Sequence, residues 1–310
     1  MKYIMFSILI GCFSWNISNS QNKNTASNLD DRVHGLTTLI TTQGNGENRI
    51  GTGFFFQELS PKDTLKNGQW RTIENMWLVT NRHVSLLRDK KGNETLPDSF
   101  TFHLRRINGL NIVWEPITIK KDELKTRLKL HSDKNIDIAL VKVFDLVMDK
   151  IKSGQTYMQF YAVSEDDLPG KNKINVEVTD DVVTIGYPKN FYDQKNVFPI
   201  VKQGIISSRW GSFFNGSPYF LIDSKLFPGS SGSIVISKPQ NIVLDKGQIF
   251  HNENKQFAFL GVYSGEPFKI QPNSVEFDDM VIFRRDKFDV GIVWYSNLVV
   301  DIINNGVQIK

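Results

Sequence analysis

Short apolar runs recur along most of this chain, and turn-forming residues bound them. Thr37 to Thr42, Ile50 to Gln57, Met76 to Thr80, Phe100 to Leu104 and Ile138 to Val143 form a first series. Val182 to Gly186, Gly204 to Ser208, Tyr219 to Ile222, Ser233 to Ser237, Phe257 to Tyr263 and Val290 to Trp294 form a second. Runs of four to eight residues are too short for helices that must bury a face, and they fit strands. Many short strands in two series predict barrels or sandwiches. The first two runs flank Gln43-Gly44-Asn45-Gly46-Glu47-Asn48, which reads as a hairpin turn.

The chain has 310 residues, enough for one large all-β unit or two small ones. Its formal charge of +4 is small and its Lys and Arg are scattered, which argues against a nucleic-acid partner. The densest basic stretch, Lys120, Lys121, Lys125, Arg127 and Lys129, reads as a solvated loop face. No His-x-x-x-His pair or cysteine cluster points to a metal. The glycine-rich stretch Gly44 to Gly53 lacks the Gly-Lys-Ser/Thr of a phosphate loop. No cofactor is expected.

The N-terminus reads as a separate piece. Met1-Lys2 precedes residues 3 to 15, which are apolar apart from Ser7 and Ser14, and this run is too short to span a membrane. Ser18-Asn19-Ser20 then supplies small residues before the polar Gln21. Residues 1–20 are therefore expected to be a secretory signal, with the protein exported to the periplasm or medium. Lys2 is the signal's only charged residue, so its removal takes the charge from +4 to +3. Leu9-Ile10-Gly11-Cys12 resembles a bacterial lipobox, so anchoring through Cys12 is the second reading, and the only membrane association expected. Cys12 is the chain's one cysteine, so the mature domain is expected to rely on its core rather than on disulfides.

Residues 21–33 read as a flexible lead, 34–150 as a first barrel and 175–295 as a second. Residues 60–75, 106–134, 145–175 and 266–288 read as insertions, with 144–175 as the connector. Residues 296–304 read as a closing helix packed on the last barrel. Ser296 would be its N-cap, Leu298, Val299, Ile302 and Ile303 its apolar face, and Asn305-Gly306 its stop.

The chemistry gathers around Pro228-Gly229-Ser230-Ser231-Gly232-Ser233. A serine hydroxyl attacks only when a base takes its proton. His83, just past an apolar run, would be that base and would later protonate the leaving amine. Asp137, which opens Ile138-Ala139-Leu140-Val141, would fix its tautomer. His, Asp, Ser is one of the chain orders in which this triad recurs. Asp133 and Asp145 are rivals, but neither directly precedes that run. The glycines permit a tight turn in which the Gly229 and Ser231 N–H groups point at a developing oxyanion. His34, His103, His131 and His251 read as surface or strand residues.

These segments resemble the trypsin-like (chymotrypsin-fold) peptidase superfamily, in particular its bacterial HtrA-type branch. There an Asp-x-x-Ile-x-Pro-Gly-Asn-Ser-Gly-Gly run carries the nucleophile. Here the run is Asp223-Ser224-Lys225-Leu226-Phe227-Pro228-Gly229-Ser230-Ser231-Gly232-Ser233. Thr80-Asn81-Arg82-His83-Val84, Asp137-Ile138-Ala139-Leu140, Thr52-Gly53-Phe54, Gly186-Tyr187-Pro188 and Gln203 to Ser208 match as well. The resemblance spans roughly residues 35 to 305 and implies an all-β fold of two packed six-stranded antiparallel β-barrels. His83 and Asp137 would come from the first barrel and Ser231 from the second. It implies a secreted serine endopeptidase that hydrolyses protein or peptide substrates through an acyl-enzyme, without cofactor. Lys225, Leu226, Tyr263, Ser264 and Gly265 would bind substrate, and Tyr263 would narrow the pocket.

The departures also carry information. Ser230 replaces the branch's Asn and Phe227 a typically polar residue. Ser230 cannot pair with a freshly cut N-terminus, so zymogen activation by that route is not expected. Only a short stretch follows the last expected strand, so the PDZ domain of HtrA enzymes is not expected. Two other readings stay open: a catalytically silent or signal-activated peptide-binding module, and an esterase with the same triad. The enzyme reading implies activity that falls as pH drops through about 6.5, where a typical imidazole takes up its proton.

Overall fold

The computed structural model describes residues 29–61, 71–89, 91–109, 111–155, 157, 161–189, 191–245, 247–270, 275–277, 280–282 and 285–309. The candidate leader, Cys12 and much of the expected 60–75 insertion lie outside them.

The chain starts with a short helix α1 (Leu29–Gly35) and the hairpin β1 (Thr37–Gly44) and β2 (Glu47–Leu59). Its turn residues Asn45 and Gly46 both have positive φ, 53° and 77°, the conformation of a two-residue type I′ turn. Next come β3 (Ile73–Thr80), the single-turn helix α2 (Arg82–Ser85) and a ribbon of β4 (Leu87–Arg88) with β5 (Glu94–Thr95). Then follow β6 (Ser99–Asn108), β7 (Asn111–Lys120), α3 (Lys121–Arg127), β8 (Leu128–Leu130), β9 (Ala139–Lys142), α4 (Phe144–Lys152) and β10 (Ala162–Val163). The strands of this unit, apart from the β4–β5 ribbon, form one eight-stranded sheet in the order β7-β6-β1-β2-β3-β9-β8, with β10 added beside β2.

The second unit is a closed barrel of six strands. They are β11 (Asp181–Gly186), β12 (Ile200–Ile206), β13 (Tyr219–Asp223), β14 (Ile234–Ser237), β17 (Phe259–Gly265) and β22 (Val290–Tyr295). The ribbon β15 (Gln240–Asp245) with β16 (Gln248–Gln256) leaves it after β14. Small ribbons of β18 (Phe268–Ile270) with β21 (Arg285–Lys287), and β19 (Val275–Phe277) with β20 (Met280–Ile282), fall between β17 and β22. Helix α5 (Asn297–Asn305) follows. The fold is thus mostly β, as expected.

Strand geometry explains why the central runs are apolar throughout. Successive side chains of a strand face opposite sides. Phe55, Met76, Leu78, Ala139 and Val141 pack inside the first unit. Their neighbours Phe54, Phe56, Trp77, Val79, Ile138 and Leu140 face the other way and meet Val183, Ile185, Ile234, Ile236, Phe259 and Val262 of the barrel. The alternate barrel residues Val182, Val235, Leu260, Phe220 and Ile222 fill its interior. Three cores therefore stack in a row, and the middle one joins the two units.

Four sequence expectations change. Residues 106–134 are not an insertion loop. They hold the end of the hairpin β6–β7, paired in register from Ser99↔Lys120 to Asn108↔Asn111, then α3 and β8. The basic stretch is likewise structured: Arg127 forks onto Asp145 at 2.7 Å through each of two nitrogens, and Lys129 Nζ donates to the Ile303 carbonyl at 2.8 Å. Helix α5 leaves the last barrel strand but bridges to the first unit. His131 meets Asp301 at 3.0 Å, and Leu130 and Val307 exchange both backbone hydrogen bonds. Ser296 stands at the N-cap position with a helical φ of −62° and makes no side-chain capping bond.

Candidate active site

His83 lies on α2, immediately beyond β3. One turn cannot satisfy its own terminal carbonyls, so neighbouring side chains do. Thr42 Oγ1 donates to the Val84 carbonyl at 3.1 Å. Arg49 Nη1 donates to the carbonyls of His83 at 2.7 Å and Leu86 at 2.9 Å. Beneath them Arg82 is 7% exposed and forks onto Glu94 at 2.8 and 2.7 Å. The turn that bears His83 is thus tied to β1, β2 and β5.

Asp137 sits two residues before β9, which pairs with β3, so His83 and Asp137 end adjacent strands. Its Oδ1 accepts from the His83 backbone N–H at 2.9 Å and its Oδ2 faces His83 Nδ1 at 2.7 Å. An ionised carboxylate only accepts, so Nδ1 carries the proton and Nε2 is left with its lone pair. Ser264 Oγ donates to the same Oδ2 at 2.5 Å, and Asn81 Nδ2 holds the Asp137 carbonyl at 2.7 Å. His83 remains open to solvent while Asp137 is largely covered, with side chains 45% and 20% exposed.

Ser231 lies between β13 and β14, on the barrel side of the cleft. Its Oγ donates to the Ser264 carbonyl at 2.9 Å. Ser264 therefore touches both partners: its hydroxyl binds Asp137 and its carbonyl holds Ser231. Among the described residues Ser231 Oγ makes no hydrogen bond to His83.

The loop before Ser231 is shaped by residue type. The Ser230 N–H donates to the Phe227 carbonyl at 3.0 Å and closes a four-residue turn. Pro228 is its second residue and Gly229, with φ of 93°, its third, the pattern of a type II turn. A Cβ on Gly229 would stand 2.5 Å from Lys189 N, so only glycine fits. The Pro228 carbonyl accepts from Lys189 N–H at 2.7 Å. In a trans peptide the N–H points opposite to the carbonyl. The Gly229 N–H is thereby turned away from Lys189. Neither it nor the Ser231 N–H has an acceptor among the described residues. Both carbonyls of these residues are taken by Thr52: its N–H binds Ser231 O at 2.8 Å and its Oγ1 binds Gly229 O at 3.0 Å. Two outward N–H donors beside a serine hydroxyl are the parts an oxyanion site needs.

A model of the trypsin-like peptidase domain matches residues 51–243, a span that contains His83, Asp137 and Ser231. The chain belongs to the trypsin-like peptidase family. Among solved structures, the active form of the Rv3671c protease from M. tuberculosis is 15% identical, with 90% of this chain and 83% of that one aligned at a TM-score of 0.42. The serine endoprotease from Yersinia pestis is 14% identical, aligned over 88% of this chain and 62% of its own, at a TM-score of 0.38. Tobacco etch virus protease complexed with product is 10% identical over 90% and 82% of the two chains, at a TM-score of 0.43. No curated protein matches.

Within this peptidase domain the expected substrate-binding residues divide. Lys225 is exposed, and its carbonyl accepts from Lys202 Nζ. Leu226 is buried in the barrel core. Tyr263 is 3% exposed, and a Cβ on Gly291 would lie 2.7 Å from its ring. The tyrosine thus occupies the space that the missing side chain of Gly291 leaves. Burial, reinforced by the charge of Glu266, pushes its phenol pKa well above the usual range. The ring is anchored next to Ser231, because Tyr263 O accepts from Gly232 N and Tyr263 N donates to Ser233 O, both at 2.9 Å. Gly265 has open space where a Cβ would be.

Sequence reasoning had assigned Ser264 to substrate and missed it as the partner of Asp137. It also missed Thr52 and Arg49. Ser264 follows the apolar stretch Phe257 to Tyr263 at its end near Ser231, and that position was the available signal. Nothing local marks Arg49.

Proposed function

We propose that this chain is a serine endopeptidase that cleaves peptide bonds through an acyl-enzyme. His83 takes the Ser231 proton as Oγ attacks the carbonyl carbon, and the Gly229 and Ser231 N–H groups receive the oxyanion. Protonated His83, steadied by Asp137, gives its proton to the leaving amine. Water then repeats the sequence on the ester. The observation that carries this reading is the Asp137 carboxylate, held by His83 N–H, His83 Nδ1 and Ser264 Oγ, residues that are far apart in the chain. Such orientation of an imidazole is what a general base requires and a turn aspartate has no need of. Substrate would lie along Tyr263 to Gly265, with the Tyr263 ring favouring small side chains at the cleaved residue. Lys225 and Leu226 would border the same pocket through their backbone. Residues 1–20 would direct export, and Cys12 would serve only if lipid-anchored.

One observation favours a second reading, a signal-activated or silent peptide-binding module. The Ser231 hydroxyl is engaged by the Ser264 carbonyl, and it must leave that bond before His83 can take its proton.

Fluorophosphonate labelling of the purified chain, read by intact mass, separates the two. A single adduct that Ser231→Ala abolishes supports the peptidase. A folded protein that takes no label supports the module.

A further inference from the structure

Beside His83 and Asp137 the surface holds a recess of about 270 Å³. Its walls come from α2, the β4–β5 ribbon and the segment before Asp137. Arg82, Arg88 and Lys134 reach it from these walls and Arg49 from β2, against the carboxylates of Asp137, which faces His83, and Glu94. Arg82 uses the Glu94 carboxylate fully, through two nitrogens of its guanidinium. Arg88 stands opposite Glu94 in the ribbon, and both Arg88 and Lys134 act on its charge from beyond hydrogen-bond distance. Arg82, Arg88 and Lys134 hold the Glu94 carboxyl below the usual range, Arg82 foremost by its hydrogen bonds. Arg88 and Lys134 are exposed and make no ion pair among the described residues. Asp133, next to Lys134, spends an oxygen on the Asn135 N–H at 2.9 Å. Arg49, also in the wall, is paired with Glu47 at 3.0 Å. With Asp137 set against Arg88 and Lys134, the recess still carries an excess of one positive charge, next to the base of the proposed triad.

We infer that this recess is a subsite for an acidic side chain of the substrate, an aspartate or glutamate within two residues of the cleaved bond, received by Arg88 and Lys134. The inference rests on the peptidase reading. A low-polarity wall of Leu86 and Leu87 lies beneath the cations, so the carboxylate would approach them with part of its water removed, where charge pairing is stronger than at open surface. Arg82 and Glu94 would serve as its floor.

The test profiles cleavage of a diverse peptide library by the wild-type chain and by the double variant Arg88→Glu, Lys134→Glu. Fluorophosphonate labelling of both proteins runs alongside. Expected is an enrichment of Asp and Glu at one position near the cut. That enrichment should fall as salt is raised and should disappear or turn to Lys and Arg in the variant. For a pair of peptides differing only as Glu against Gln, the kcat/KM ratio should shift by about two- to fivefold, the scale of an exposed charge pair. Cleavage without acidic enrichment, or enrichment that survives charge reversal, overturns the subsite and leaves the peptidase standing. If neither protein labels or cleaves, the peptidase reading fails. The subsite is then judged by binding of the Glu and Gln peptides to Ser231→Ala, where equal affinity overturns it.

Discussion

The Thr52 hydroxyl donates to the Gly229 carbonyl at 3.0 Å, joining a strand of the first unit to the Ser231 loop of the second across 177 residues. The same oxygen accepts from the Tyr187 N–H at 2.9 Å, while Thr80 Oγ1 holds the Thr52 carbonyl at 2.8 Å. Thr52 is fully buried. Its bonds orient the peptide that follows Gly229, and hence the N–H groups on either side of Ser230.

Replacing Thr52 by Val keeps the shape and removes the hydroxyl. It leaves a buried carbonyl and a buried N–H without partners, at a cost of about 1–3 kcal/mol each. If the two N–H groups form the oxyanion site, the fluorophosphonate labelling rate falls about 10- to 100-fold. Thr52→Ser restores most of it. Equal rates for wild type and Thr52→Val, in a protein with an unchanged melting profile, would remove Thr52 from the positioning of the loop.

Gly229→Ala places a Cβ 2.5 Å from Lys189 N at a φ of 93°. The peptide must rotate to relieve that contact, which takes the N–H from the direction argued above. The expected loss in kcat is about 100-fold or more, with KM for peptides changed far less. A crystal structure of the variant with an unrotated Pro228–Gly229 peptide and full activity would contradict this.

Tyr263→Val empties the space over Gly291 near Ser231. The variant should accept larger side chains at the cleaved residue, so kcat/KM for Phe over Ala at that position rises about tenfold or more. The ring is part of the barrel core, so stability falls by about 2–4 kcal/mol, which chemical denaturation reads. An unchanged Phe-to-Ala ratio would place the specificity pocket elsewhere.

Tyr187 gives a pH signature. Its hydroxyl donates to the Val197 carbonyl at 3.2 Å and accepts from Arg105 Nη1 at 3.0 Å. Burial pushes the phenol from an ordinary 10 up to about 12, with Arg105 opposing. The folded state thus resists deprotonation that the unfolded state undergoes near 10. The stabilisation is complete below that pH and is lost as pH rises toward 12, about 2–3 kcal/mol in all. Tyr187→Phe should reduce the slope of unfolding free energy against pH by about one proton in this window. Tyr263 and Tyr295, raised chiefly by burial, supply what remains. An identical slope in the variant would mean that Tyr187 titrates normally in the folded protein.

The strands were legible because their information is local. Apolar runs of strand length, such as Phe54-Phe55-Phe56 and Ile234-Val235-Ile236, read as β without knowledge of partners. Residues 106–134 were misread because β7 is an edge strand and α3 a helix with one buried residue, so polar and charged side chains face water and break the apolar signal. Helix α5 was legible as a helix from its 3.6-residue period, but its docking on β8 was not, since an apolar face does not name what covers it.

By itself the sequence determined the period-two burial that stacks three cores, the turn chemistry of Asn45-Gly46 and Pro228-Gly229, and the residue types His83, Asp137 and Ser231 in a recognisable order. These follow from backbone sterics and side-chain alternation, which act over a few residues. Only the tertiary structure decided which polar atoms meet. The joining of Ser264 to both Asp137 and Ser231, the clamp from Thr52 to Gly229, and the cations collected beside His83 all depend on two sheets packing at one angle and register. Hydrogen bonds and charge pairs act over a few ångströms, so residues more than a hundred positions apart acquire them only once the cores have set that packing.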